Sequence, residues 1–242
     1  MNALNLKLLT TGVAAGIALT GPVWPVSAST GYEPAGHAGV CSGIDRCRRT
    51  AVIDVDGDRR ADRIGWRRLD RGHVQIRVRT TDHGLLTRTV DVRRWRSGEW
   101  AGATRVDGRP GAELVIGSKR DGDTPYYTML THRGGRLVVE RSPAHPQGRL
   151  WTVDAGLMGY AGWHRHVWPA GRITMTLKVA RRDGDSVAFR GYTVRYEWRD
   201  GDWRQARRVR AQYPTTRRAE KIAGWYVGRL DRFPAIDRDR RG

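Results

Sequence analysis

The chain has 242 residues, with 44 basic side chains against 25 acidic ones, a formal charge of +19 and only two cysteines. Beyond the N-terminus no stretch is apolar enough to cross a bilayer, and two cysteines are too few for a thiolate-built metal or redox centre. So large a positive excess, nearly all of it arginine, suits an anionic partner.

At the N-terminus Lys7 precedes an apolar run from Leu8 to Thr20, and Val26-Ser27-Ala28 offers small residues for cleavage. This pattern is that of a secretory signal peptide over residues 1–28, which makes the expected location extracellular. The apolar run is shorter than the roughly 20 residues of a membrane span. Removing it leaves 214 residues (242 − 28) and a charge of +18, since only Lys7 is lost. In an oxidising compartment Cys41 and Cys47 are expected to pair and pin the N-terminal segment 29–49. Outside the cell nucleic acid is not the expected partner. An anionic extracellular polymer, a glycan or a protein is. The 40 arginines (44 − 4 lysines) are spread along the chain, so a composition bias accounts for them as readily as a functional surface.

Asp54-Val55-Asp56-Gly57-Asp58-Arg59-Arg60-Ala61-Asp62 carries the clearest chemistry. Carboxylates at positions one, three, five and nine of a tight turn can converge on one centre, and hard cations take six to eight oxygen ligands. The expected ligands of a Ca²⁺ ion are Asp54, Asp56, Asp58, the backbone carbonyl of Arg60, and Asp62. A helix-loop-helix calcium site is excluded, because Arg59 and Gly65 stand where that loop needs Gly and Glu. Arg63-Ile64-Gly65-Trp66 then reads as the start of a strand.

A D-x-D-x-D-x-x-x-D loop running into an apolar strand resembles the ligand loop of FG-GAP/VCBS repeats, the blade units of integrin-alpha-type β-propellers. The resemblance covers residues 50–141, with Arg59 departing from the glycine frequent at position six. It implies an all-β chain of propeller-blade-like antiparallel units, a structural Ca²⁺, and adhesion or recognition outside the cell.

A shift of 51 positions (107 − 56) lays Val55-Asp56-Gly57 on Val106-Asp107-Gly108 and Asp62 on Glu113. Repeat units are therefore expected at 50–100 and 101–149, each running from its loop into three strands. The strands fall near 63–68, 73–79 and 85–92, then 113–118, 125–132 and 136–141. Val74, Ile76 and Val78 alternate with polar residues at the strand period. In the second loop Arg105 and Arg109 replace ligands, and a guanidinium of one of them is expected to stand in the cation's place between Asp107 and Glu113. A third unit over 150–214 has strands near 173–180, 187–198 and 203–209, separated by Asp-Gly-Asp turns. Asp154–Pro169 reads as its long loop. The segment from Thr215 to Leu230 shows helical spacing with Thr216 as a cap, and a charged tail completes 215–242. Three units fall short of an ordinary propeller. Closure by the termini and by a homodimer, or a compact three-part β-domain, both fit.

No nucleophile elbow, zinc-protease helix or phosphate loop is present. The rival function is an extracellular hydrolase that uses His164 and His166 with a carboxylate to hold Zn²⁺. A purely electrostatic binder of acidic wall polymers is the third reading. Most tryptophans are expected to fill the core, while Trp163 and Trp168, in the long loop, are the ones expected to meet a ligand.

Overall fold

Alternation of apolar and polar residues sets the first sheet. A computed structural model describes residues 39–93, 100–122, 124–144, 148–184 and 186–227. Strands β1 (Cys47–Ile53), β2 (Asp62–Arg68), β3 (His73–Arg79) and β4 (Leu85–Asp91) form an antiparallel meander in the order 1-2-3-4. Val74, Ile76 and Val78 point inward, as their spacing predicts, and join Ile64, Leu86 and Val90 in one core.

The second sheet repeats the meander with β5 (Trp100–Thr104), β6 (Glu113–Asp121), β7 (Thr124–Arg133) and β8 (Arg136–Glu140). It lies between the other two. Leu114 and Ile116 of β6 pack into the first sheet's core, while Val115 between them packs with the third sheet. A strand covered on both sides has no solvent face, and so the run Leu-Val-Ile is continuous where the outer sheets alternate. β9 (Leu150–Thr152) continues this sheet beside β7, so residues 150–152 leave the third unit and join the second.

The third sheet is larger. Strands β10 (Asp154–Gly156), β11 (Gly159–Val167), β12 (Ile173–Arg182), β13 (Phe189–Arg199) and β14 (Asp202–Tyr213) pair in order. The described residues form an all-β fold of three sheets, antiparallel but for one short parallel strand, with one short α-helix, and none of these sheets closes on itself.

Three expectations are corrected. A strand precedes each of the two loops, β1 and β5, where only the strands after them were expected. Asp154–Pro169 is not a loop, since β10 and β11 fill most of it and β11 pairs with nine residues of β12. Trp163 on β11 is buried to 1% exposure, its ring centroid 4.8 Å from that of Trp151 in a tilted pair, with its indole N–H donated to the Thr152 carbonyl at 2.9 Å. It is core and not a ligand platform. Trp168 does stay partly exposed, with the Arg172 guanidinium 4.9 Å above its ring.

The helix is also shorter than its spacing predicts. α1 spans Thr216–Glu220, and its cap is Thr215, whose hydroxyl accepts from the Arg218 N–H. The chain then turns back, and β15 (Gly224–Tyr226) runs parallel to β11. This crossing requires Gly162, because a Cβ there would lie 1.8 Å from the Ile222 carbonyl. Ala219 and Ile222 cover Tyr160, Ala180 and Phe189 on the sheet's outer face.

Cys41 and Cys47 are bonded, and the segment they fix is anchored where Arg77 Nε donates to the Val40 carbonyl at 2.9 Å. No helix among the described residues is long and apolar enough to cross a membrane. The expected signal peptide over 1–28 with its expected cleavage site, Leu230 and the charged tail lie outside the described residues.

Candidate metal centre

The loop between β1 and β2 is wound by its own carboxylates. Asp54 Oδ1 accepts from the Gly57 N–H at 2.7 Å and Oδ2 from the Arg59 N–H at 3.2 Å. Asp56 Oδ1 accepts from Asp58 N–H at 3.2 Å, and Asp58 Oδ1 from Arg60 N–H at 2.6 Å. This winding needs positive φ at Gly57 (87°) and at Arg59 (70°), where a Cβ is disfavoured. One oxygen each from Asp54, Asp56 and Asp58 lies within 4.8 Å of the other two.

Asp62 does a separate job. At 1% exposure it sits beneath the loop, and its Oδ2 accepts from the N–H groups of Val55 at 2.7 Å and Asp56 at 3.3 Å. It latches the loop to the start of β2. Burial, then the charges of Asp56 and Asp58, push its pKa up to about 6. Arg60 lies in the turn with its side chain 3.8 Å from Asp82.

The remaining oxygens test whether the loop fits a cation. Asp56 Oδ2, Asp58 Oδ2 and Asp62 Oδ1 are all buried without a hydrogen-bond donor. Buried carboxylate oxygens left without a partner cost free energy, and a bound cation removes that cost. The donors are all oxygen, which is the chemistry of a hard divalent ion. Asp54, Asp56 and Asp58 can hold a metal ion.

The second loop, between β5 and β6, preserves the latch. Glu113 Oε2 accepts from the Val106 N–H at 2.6 Å and the Asp107 N–H at 3.4 Å, the two positions that Asp62 serves in the first loop. Its Oε1 accepts from the Thr131 hydroxyl at 3.0 Å. A guanidinium does neutralise this loop, but it is neither of the two expected. Arg133 on β7 pairs with Asp107 and lies 3.5 Å from Glu140 Oε2. Arg105 reaches instead to Asp54 Oδ2 at 3.9 Å, and Arg109 lies against Gly201. Strand β7 places Arg133 across the loop, whereas a residue within the loop must curl back on itself. Burial, then Asp107, pushes Glu113 up to about 8, and burial with the same neighbour takes Glu140 to about 7.

The two loops interlock. The Ala112 N–H donates to the Asp54 carbonyl at 2.9 Å, and a Cβ on Gly111 would meet the Val55 carbonyl at 2.3 Å. The structure does not gather the histidines into a comparable site. His164 is stacked 4.3 Å from Tyr226, and burial followed by the Lys178 charge lowers its pKa to about 4. His166 packs edge-on against Trp168. Among the described residues the only cluster of three metal-ligating side chains is the aspartate group.

Sequence reasoning missed Arg133, Thr131 and Glu140. One signal was available: the shift of 51 lays Asp82 on Arg133 (133 − 82), so the unit that keeps its acidic loop has an acid where the degenerate unit has a cation. No protein-family model, curated protein or solved structure matches the chain.

Proposed function

We propose that the chain is a secreted, calcium-stabilised β-repeat protein that acts as an extracellular binding module. The observation that carries this reading is the set of buried oxygens without donors on Asp56, Asp58 and Asp62, beside Asp54 in a loop wound by its own carboxylates. The loop resembles that of FG-GAP/VCBS repeats, and the three stacked meanders agree with blade-like units. The Cys41–Cys47 bond agrees with an oxidising compartment. Ca²⁺ would be held by Asp54, Asp56 and Asp58, with Asp62 Oδ1 and the Arg60 carbonyl completing the set. It would supply charge neutralisation and hold the entry to β2 against the second loop. Its role is structural.

Extracellular calcium modules bind with dissociation constants of about 10⁻⁴ to 10⁻³ M. At about 10 mM Ca²⁺ a ligand that binds only the folded state then adds about 1.4–2.7 kcal/mol. For a chain of this size that raises Tm by about 3–10 °C. The test is a melting curve in Ca²⁺ and in chelator, with calorimetry for stoichiometry and Asp58→Ala as the control. One ion per chain and loss of the shift in Asp58→Ala are expected. Superimposed melting curves for the wild-type protein would refute the reading.

A further inference from the structure

The third sheet carries a basic cleft on the face that packs, further along, against the second sheet. Directly opposed residues of an antiparallel pair share a face. The register Arg190 to Gln212, Tyr192 to Arg210 and Val194 to Arg208 therefore puts these side chains on one side. Val194 is 3% exposed and belongs to the shared core, whereas Arg190, Arg208, Arg210 and Gln212 are exposed. The face thus emerges from the core between Val194 and Tyr192. There it bounds a cleft of about 740 Å³ that Gly191, Val209 and Ala211 also line. That volume is within the range of small-molecule sites.

The cleft's charges are arranged for an anion. The Arg208 guanidinium lies 4.2 Å over the Tyr192 ring, which fixes its plane. Arg190 is paired with Asp183 at 2.7 Å, but no carboxylate of the described residues forms an ion pair with Arg208 or Arg210. These two lie two residues apart on one face, a repeat of about 7 Å along a strand. Tyr192 and Gln212 place neutral hydrogen-bonding groups among the cations.

Other occupants fit less well. A second copy of this edge would set arginine against arginine. An added peptide strand meets a register shift in β14 between Gln205 and Arg207, where the ladder is interrupted. Arginines also stand on both faces of that strand, and charges so placed oppose strand addition. Recognition therefore belongs to the side chains of the face.

We propose that this cleft binds a carboxylated polysaccharide. Arg208 and Arg210 each grip a carboxylate through two N–H groups, while Gln212 and the Tyr192 hydroxyl bond to sugar hydroxyls. The inference deepens the binding-module reading and rests on it. The test uses the full chain and a short polyuronate oligomer, its carboxyl-reduced counterpart, polyglutamate and inorganic polyphosphate, at about 150 mM salt, where loose surface attraction is screened. Calorimetry is run with Ca²⁺ and with chelator. The polyuronate should bind, the reduced oligomer should not, and the two other polyanions should bind more weakly. Replacing Arg208 and Arg210 together by Ala should weaken binding about tenfold or more. Replacing both by Lys should do nearly as much, because lysine keeps the charge and loses the two-point geometry.

Lysine variants that bind as well as wild type, polyphosphate or polyglutamate that match polyuronate, or a wild-type protein that binds nothing would each overturn the proposal. The calcium-dependent melting shift is measured on the same variants. A retained shift with no polyuronate binding refutes the cleft alone, and an absent shift with binding intact refutes the calcium reading alone.

Discussion

Arg133→Leu tests whether a guanidinium does in the second loop what the proposed cation would do in the first. The Asp107 side chain is fully buried, Glu140 is 12% exposed and Arg133 is 20% exposed, so the group is largely out of water. Arg133 also donates to the Thr131 hydroxyl at 2.6 Å and to the His132 carbonyl at 2.7 Å. Removing one member of a buried pair leaves an uncompensated charge and costs about 3–5 kcal/mol. At about 2–4 °C per kcal/mol for a chain of this length, Tm falls by about 6–20 °C. The assay is urea unfolding at neutral pH, followed by tryptophan fluorescence, completed as a cycle with Asp107→Asn. The double variant should recover a substantial part of the loss, since a neutral amide in place of the Asp107 carboxylate leaves less charge stranded. A single-variant loss under about 1 kcal/mol, or strictly additive losses, would refute the guanidinium's role in neutralising the loop.

Two further outcomes follow from local geometry. Arg59 is held at φ 70°, a conformation that costs a side-chain-bearing residue about 1–2 kcal/mol, so Arg59→Gly should stabilise the chelated protein by up to about 1 kcal/mol in thermal or urea unfolding. A loss of stability instead would show that the Arg59 side chain is needed. His164 titrates near 4 in the fold against an ordinary 6.5, so the unfolded chain takes up its proton first. Its share of stability is complete above pH 6.5 and is lost as pH falls toward 4, by about 3 kcal/mol at most, less its partial exposure. Asp62, Glu113 and Glu140 titrate in the opposite sense, so the readable quantity is the difference between wild type and His164→Phe across about pH 4–7. A constant difference would exclude His164 as its source.

What the sequence disclosed followed how local the physics was. β3 is set by period-two alternation against one core and lies where that alternation puts it. The Asp-Gly-Asp turns separated the strands of the third sheet because Gly201 needs positive φ whatever surrounds it. β11 stayed hidden because Gly159 and Gly162 weaken any strand signal, and the second is glycine for a chain crossing 60 residues later (222 − 162). The same holds at the site. Asp54, Asp56 and Asp58 converge through bonds spanning two to five residues, which spacing alone conveys. The Arg133 to Asp107 pair spans 26 residues and depends on which strand lies beside the loop.

That non-local pairing, set beside the repeat, explains how the two loops diverge. Both loops keep the latch, Asp62 or Glu113, because closing the loop requires an acceptor for the two N–H groups behind it whatever fills the centre. The centre itself is then free to diverge, provided charge is compensated. The first unit has three carboxylates in the loop and Asp82 in the turn after β3. The second keeps only Asp107 of the three and carries Arg133 where Asp82 stands. A fixed guanidinium needs no dissolved ion, so on the proposed reading the middle sheet, packed on both sides, should keep its fold when calcium is removed. On the proposed calcium reading the loop that would depend on an ion is left at the outer sheet, where its loosening would disturb one packed face and not two. Calcium removal should therefore loosen the first sheet before the other two, which amide hydrogen exchange in chelator would register as protection lost in β1 and β2 while β6 and β7 keep theirs. Uniform loss across all three sheets would refute this division of labour.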